Sequence, residues 1–442
     1  MRAAATDDTV LAGPLGRRAR ATAHLLATRL ADPSYVSAAV AASPPDPNLP
    51  HGRIGSSLLA GDAGIALVLR TASRAVPESA SYWAGLSRVR LAAAVRSTQE
   101  SPVHGAGISH GTAGLALAVA DSARDEPRYA GALDRLNQQL VQQIGALPLG
   151  GAVRDSDYDI VSGSAGVLGY LVSVPAPDPA LRNCAHLLID HLVGLCLPAG
   201  GGGLPDCVIP PEYYPKPEYR DEYPHGYVNL GLAHGLPGPL AALSLAWRAG
   251  YRRTGMATAI QRAAAYLRSK AVQDEFGVDW PNGIPLDPEG REAPVGPSAR
   301  TAWCYGAPGI AIALLHASAA LGDDGLRAYA TAALAASLRR MRAADRLSPA
   351  TLCHGLAGVL TIAASFVRAT GSTAVGASLP WLTERLLDMC DADLPFGVQN
   401  SEPHHPVIDN PDLLVGAAGV AAALWSASSP VSHYWQRCLL IA

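Results

Sequence analysis

A short motif, Gly-x-x-Gly followed by a run of small apolar residues, recurs seven times along the chain. Its glycine pairs are Gly61/Gly64, Gly111/Gly114, Gly163/Gly166, Gly235/Gly238, Gly306/Gly309, Gly355/Gly358 and Gly416/Gly419. One such pair carries little information, because glycine is common. Seven in matching contexts, about 50 to 70 residues apart, mark a repeat architecture. Each repeat reads as a glycine turn feeding a helix that is apolar almost all round, hence buried. Longer amphipathic stretches lie between. In residues 325–345, Leu326, Tyr329, Ala333, Leu334, Leu338 and Met341 form one stripe, with Arg327, Arg339, Arg340 and Arg342 largely off it. A buried helix paired with an amphipathic one, seven times over, predicts an all-α fold. The expected form is an α/α toroid, a double ring of seven inner and seven outer helices. Glycines allow tight turns and close backbone approach where the inner helices begin. The turn tips then cluster at one end of the axis, and polar residues placed there face one central space.

Composition agrees with this reading. The 442 residues are 49% hydrophobic, 16% charged and only 6% aromatic, and alanine is abundant, which suits packed helices better than a β-sandwich. A net charge of -3 leaves no basic footprint for nucleic acid or a membrane surface. Asp7 and Asp8 interrupt the N-terminal segment, a poor secretory signal. The most apolar stretches, such as residues 309–320, are too short to span a bilayer. A soluble, cytoplasmic protein is expected, with one domain over 1–442. The Gly-, Pro- and Tyr-rich stretch 197–228 is expected to be a long loop near the mouth, either touching substrate or an inert insertion. A second loop, 276–298, leads into the fifth turn. Seven scattered cysteines in a chain of this length argue against a disulfide framework.

Three turn tips carry distinctive chemistry: His234-Gly235 in the fourth, Cys304-Tyr305-Gly306 in the fifth and Cys353-His354-Gly355 in the sixth. If the turns converge, Cys304, Cys353 and His354 meet at one point. Two thiolates and an imidazole are a zinc ligand set, and three protein ligands leave an open catalytic position. The spacing contains no compact CxxC pair, so two buried thiols beside a capping histidine is the competing reading. His110 also precedes a repeat glycine but has no metal-partner residue beside it, and the His404-His405 pair sits in a Pro-rich loop. No role is assigned to either.

Gly231-Leu-Ala-His234-Gly235-Leu-Pro-Gly238, Ala302-Trp303-Cys304-Tyr305-Gly306 and Leu352-Cys353-His354-Gly355 resemble the signature turns of the lanthionine synthetase C-like family, in matching order across essentially the whole chain. The resemblance implies a freestanding zinc-dependent lanthipeptide cyclase with one zinc ion. Carried over by motif, Cys304, Cys353 and His354 are the metal ligands and His234 is the acid/base. Asp159, Arg300 and Tyr305 are supporting catalytic residues. The implied substrate is a dehydrated lanthipeptide precursor, in lantibiotic biosynthesis. The expected partners are a separate dehydratase, because the seven repeats fill the chain, and an exporter in a membrane-associated complex.

The chemistry suits these residue types. A peptide thiol adds across the double bond of dehydroalanine or dehydrobutyrine. A free cysteine is only about 3% ionised at pH 7, and a metal corrects that. The resulting enolate needs charge stabilisation, which Arg300 offers, and a proton, for which histidine titrates in the right range. Asp159 orients His234 or Arg300, or simply caps a helix. Two readings compete within the fold: a zinc protein adding another thiol such as glutathione to a dehydrated peptide, and a non-catalytic peptide-binding toroid scaffold. A glycosidase would want an acidic pair at the turn tips, and a terpenoid cyclase aspartate-rich motifs with an aromatic pocket. Three Phe argue against the latter.

Overall fold

The computed structural model describes residues 10–46, 52–150, 153–198, 203–344, 348–402, 405–430 and 434–442. Within them the chain forms the expected double ring. The inner helices are Asp62–Ala75, Thr112–Ala123, Ser164–Leu171, Pro237–Arg248, Ala307–Leu321, Leu356–Thr370 and Ala417–Ser428. Each packs against the next, and the seventh returns to the first. Every residue of Ala417–Ser428 is buried, as is every residue of 307–318, as expected of helices that are apolar all round.

Six inner helices are followed by their outer partners: Ala80–Ser97, Ala130–Gly145, Pro179–Cys196, Met256–Ser269, Asp324–Ala343 and Leu379–Asp388. The seventh partner, Gly13–Arg29, comes from the N-terminal end of the chain and packs on Ala417–Ser428, so both rings close. Local signals set the boundaries. Asp178 and Asp323 cap their helices by accepting the N–H of Leu181 and Leu326, while Gly322 and Gly371, at φ +68° and +66°, end the fifth and sixth inner helices.

Side chains and backbone join the turn tips directly. The residue six before each second glycine lies over the second glycine of the following turn: Leu58 over Gly114, Ile108 over Gly166, Ile160 over Gly238, Leu232 over Gly309, Trp303 over Gly358 and Leu352 over Gly419. Leu413 over Gly64 completes the circle. Backbone hydrogen bonds follow the same path. Leu58 N–H donates to Ser109, Ser109 to Val161, Ile160 to Ala233, Ala233 to Cys304, Cys304 to Cys353, Cys353 to Leu414 and Leu414 to Leu59, at 2.8 to 3.3 Å. A Cβ on the second glycine would meet the carbonyl oxygen six residues earlier at 1.9 to 2.4 Å in six repeats and at 3.0 Å at Gly238.

A C-terminal segment enters the far end of the ring. Tyr434–Leu439 and the residues after it lie against inner helices from several repeats. Trp303 Nε1–H donates to the Leu439 carbonyl at 3.0 Å, Trp435 Nε1–H to Ser426 Oγ at 3.1 Å, and the His316 imidazole meets the Leu440 carbonyl at 3.1 Å. A Cβ on Gly169 would strike Leu440 at 2.3 Å, so the small residue makes room for this plug.

The two expected loops contain short ordered elements. Tyr227–Asn229 pairs antiparallel with Gly283–Pro285, and Val272–Asp274 with Gly277–Asp279. The first ribbon ties the 197–228 stretch to the segment before the fifth turn. No helix among the described residues is long and apolar enough to cross a membrane.

Gly358→Ala tests the glycine contacts. Its Cβ would lie 2.0 Å from the Leu352 carbonyl oxygen and 3.2 Å from Trp303 Cβ. A loss of more than about 3 kcal/mol in denaturant unfolding is expected. Gly85→Ala, in an outer helix with nothing nearer than 4.0 Å, should instead stabilise by about 0.5–1 kcal/mol.

Candidate functional site

The turn geometry decides which side chains meet. Counting back from the second glycine of each motif, Cys304 and Cys353 occupy the same position, five residues before, in neighbouring turns. The Cys304 N–H donates to the Cys353 carbonyl at 3.3 Å, which brings the two side chains together. The next position holds His110, His234, Tyr305 and His354 in their respective turns. Ligand atoms of Cys304, Cys353 and His354 all lie within 4.8 Å of one another, and both cysteines are buried.

These groups share charge. Burial opposes ionisation of Cys304. Hydrogen bonds to Cys353 and His354, with the charges of His354 and Arg300, outweigh it and hold this thiol well below its ordinary range. Cys353, hydrogen-bonded to Cys304 and buried, is pushed well above. Burial disfavours the charged form of His354, yet Cys304 and Glu402 lift its pKa to about 9. The His354 Nδ1 is 2.5 Å from Glu402 Oε1, which leaves Nε2 for Cys304 or a metal ion.

The donor set fits zinc. A tetrahedral ion bound at ~2.3 Å by sulfur and ~2.0 Å by nitrogen sets its ligand atoms roughly 3.5–3.8 Å apart. A small inward movement of atoms within 4.8 Å reaches that spacing. Thiolate and imidazole donors suit zinc and disfavour magnesium or calcium. Among the described residues this is the one His/Cys/Asp/Glu group with such spacing.

Next to this cluster, His234 follows Ala233, whose N–H donates to the Cys304 carbonyl. The His234 Nδ1 lies 2.5 Å from Asp159 Oδ2 in the adjoining third turn. Asp159 is 1% exposed, and its other oxygen accepts the N–H groups of Ser162 and Gly163 at 2.6 and 2.8 Å. Thus it both caps the turn and orients the imidazole. Burial depresses the pKa of His234, but the hydrogen bond and charge of Asp159 overcome it, and the net shift is upward. The His234 side chain is 37% exposed, so it can reach a bound molecule.

A cavity of about 350 Å³ opens over the cluster; Cys304, His354, Tyr305, Arg300 and Glu402 line it. Its far wall is the 197–228 stretch, which contributes Lys216, Tyr219, Glu222, Tyr223 and Tyr227. Tyr223 and Tyr227 stack at 4.3 Å and Tyr219 meets both edge-on. The Tyr305 hydroxyl accepts from Asn229 Nδ2 at 3.0 Å, and Gly231 leaves room for its ring. Arg300 is half exposed at the wall, with Nη1 3.3 Å from Glu402 Oε2.

All seven residues singled out from sequence therefore fall in one sector of the ring. His110 is exposed and bonds to its neighbour Ser109, away from the thiol cluster. His404 lies outside the described residues. His405, given no role from sequence, lines the cavity. The sequence places the Tyr-rich 197–228 stretch near the mouth, as found, but singles out none of its tyrosines, nor Glu402 or Asn229. Glu402 immediately precedes the prolines and histidines that drew attention, and an acid before the seventh turn was the available signal.

Comparison with known proteins identifies the family and the fold. Residues 53–440 match the family model for lanthionine synthetase C-like protein. Nisin biosynthesis protein NisC from Lactococcus lactis subsp. lactis is 28% identical over 264 residues, which cover 58% of this chain and 61% of that protein. The match thus spans about three fifths of the curated relative. Nisin cyclase, a solved structure, superposes with a TM-score of 0.74 at 22% identity, covering 88% of this chain and 93% of that one, and has the same fold. A match running unbroken through all seven turns makes this chain a member of the lanthionine synthetase C-like family.

Proposed function

We propose that the protein is a zinc-dependent lanthipeptide cyclase, closing lanthionine and methyllanthionine rings by intramolecular addition of cysteine thiols to dehydroalanine or dehydrobutyrine. The observation that carries this reading is the Cys304–Cys353–His354 cluster on the floor of a cavity, with the Asp159–His234 pair on the adjoining turns. Cys304, Cys353 and His354 hold one zinc ion, which when bound supplies the Lewis acidity that makes a substrate thiol a thiolate near neutral pH. The cavity lies over Cys304 and His354, so the peptide thiol enters there.

The thiolate forms a bond to the β-carbon as the carbon–carbon π bond breaks, and its electron pair moves onto the α-carbon and carbonyl oxygen as an enolate. Arg300, half exposed on the cavity wall, places positive charge beside that oxygen. His234, held by Asp159 and raised in pKa, delivers a proton to the α-carbon and takes one back from the incoming thiol, so protons balance over a turnover. Tyr305, its phenol fixed by Asn229, packs the wall beside Cys304. The tyrosines of the 197–228 stretch give the apolar parts of the peptide a surface to lie on. The substrate's double bonds require a dehydrating reaction on Ser and Thr upstream. A separate dehydratase and an exporter complete the proposed cytoplasmic assembly, which in this reading associates with the membrane.

Cyclisation leaves mass unchanged and consumes one thiol per ring, so alkylation with N-ethylmaleimide counts rings. Cys304→Ala and Cys353→Ala should abolish both bound zinc and the loss of alkylatable thiol from a dehydrated peptide. Full cyclisation by a metal-free variant would refute the reading, as would wild-type enzyme that consumes glutathione instead of closing rings. His234→Asn should lower kcat by ~10²–10⁴ with metal retained. Asp159→Asn removes the charge that lifts the His234 pKa while burial, which lowers it, persists. The pKa should fall, leaving less imidazolium at pH 7. A ring-proton NMR titration across pH 5 to 9 would show the shift.

A further inference from the structure

Behind the thiol cluster stands a buried carboxylate. Glu402 is 9% exposed and arrives from the segment before the seventh turn, whereas the residues it touches belong to the fifth and sixth. Oε1 lies 2.5 Å from His354 Nδ1 and Oε2 lies 3.3 Å from Arg300 Nη1. The His405 N–H donates to the Glu402 carbonyl at 3.2 Å, which fixes the local backbone. Both side-chain oxygens therefore have a donor, one on each side of the cavity floor.

We propose that Glu402 is a positioning residue that makes His354 a metal ligand through Nε2, and that Arg300 acts in part by clamping Glu402. This rests on the reading of Cys304, Cys353 and His354 as the metal site. Neutral imidazole has one N–H and one lone pair, so the nitrogen that donates to a carboxylate leaves the other to bind metal. Glu402 accepts at Nδ1, which directs the lone pair of Nε2 towards the thiols. A carboxylate in this position also raises the basicity of the ligand nitrogen. Arg300 balances the buried negative charge, so the pair adds no net charge to a site whose two thiolates already match a divalent ion.

A second consequence follows from placement. Besides the cavity over the cluster, a neighbouring one of about 550 Å³ also reaches His354, and Arg300 and Glu402 line both. The ion pair is the partition between them. It holds the imidazole at Nδ1.

The test compares full-length wild type with Glu402→Ala, Glu402→Gln, Arg300→Ala and Cys353→Ala, titrated with zinc against a chromogenic chelator and with cobalt followed by absorbance. Glu402→Ala should bind zinc about 10- to 100-fold more weakly. Its cobalt form should keep thiolate-to-metal charge transfer while the d–d bands shift as the imidazole loosens. Glu402→Gln keeps an oxygen acceptor without charge and should fall between, which guards against a folding defect in the alanine variant. Arg300→Ala should weaken binding less than Glu402→Ala. Zinc affinity and d–d bands in Glu402→Ala equal to wild type would overturn the role of Glu402 alone. Wild-type protein that binds no zinc, or binds it as well after Cys353→Ala, would overturn the metal reading and this inference with it.

Discussion

Everything at the end that carries the candidate site depends on the closed circuit of contacts between turn tips. Seven turns are joined side by side through backbone hydrogen bonds, with one apolar side chain from each lying over a glycine of the next. Each bond contributes only about 1 kcal/mol. Their effect is geometric: a residue at a given place in one turn has a fixed neighbour at the same place in the next. Cys304 and Cys353, nearly fifty positions apart, become adjacent because their turns are adjacent. Any repeat protein closed on itself converts sequence periodicity into angular position in this way.

That conversion explains the division of labour around the ring. Asp159, His234, Cys304 with Tyr305, and Cys353 with His354 come from the third to sixth turns in order, so the candidate chemistry occupies one arc. In the remaining turns the corresponding positions hold Leu59-Ala60, Ser109-His110 and Leu414-Val415, which lack a thiol and largely supply packing. The arc is bounded on one side by the tyrosine-rich stretch and on the other by Glu402, both from non-repetitive segments. Scaffold and chemistry are thus encoded separately: glycines and small residues set the ring, and a few substitutions at fixed positions equip part of it.

The same separation governed what the sequence made legible. The double ring and the convergence of Cys304, Cys353, His354 and His234 followed from the motif, because register within a repeat predicts register in space. The pairing of Gly13–Arg29 with the last inner helix gave no comparable signal, since that helix precedes the first motif and its partner is some 400 residues away. The roles of Glu402, Asn229 and the stacked Tyr223 and Tyr227 carried no signal of comparable strength. Their loops have no periodicity, and what places them is pairing such as Tyr227 with Pro285, a long-range contact that no local pattern announces. Arg300 was carried over from the family motif, four residues before Cys304, yet its partner in Glu402 needed the fold.

The plug formed by Tyr434 and the residues after it gives the ring a floor. Trp303, one residue before a candidate ligand, is hydrogen-bonded to that floor at Leu439, so the cluster is braced from below as well as laterally. A ring with a floor is a cup and not a tunnel. On the proposed function, a long flexible peptide could not be threaded through it from end to end; each segment would dip in as a bend and withdraw by the same opening.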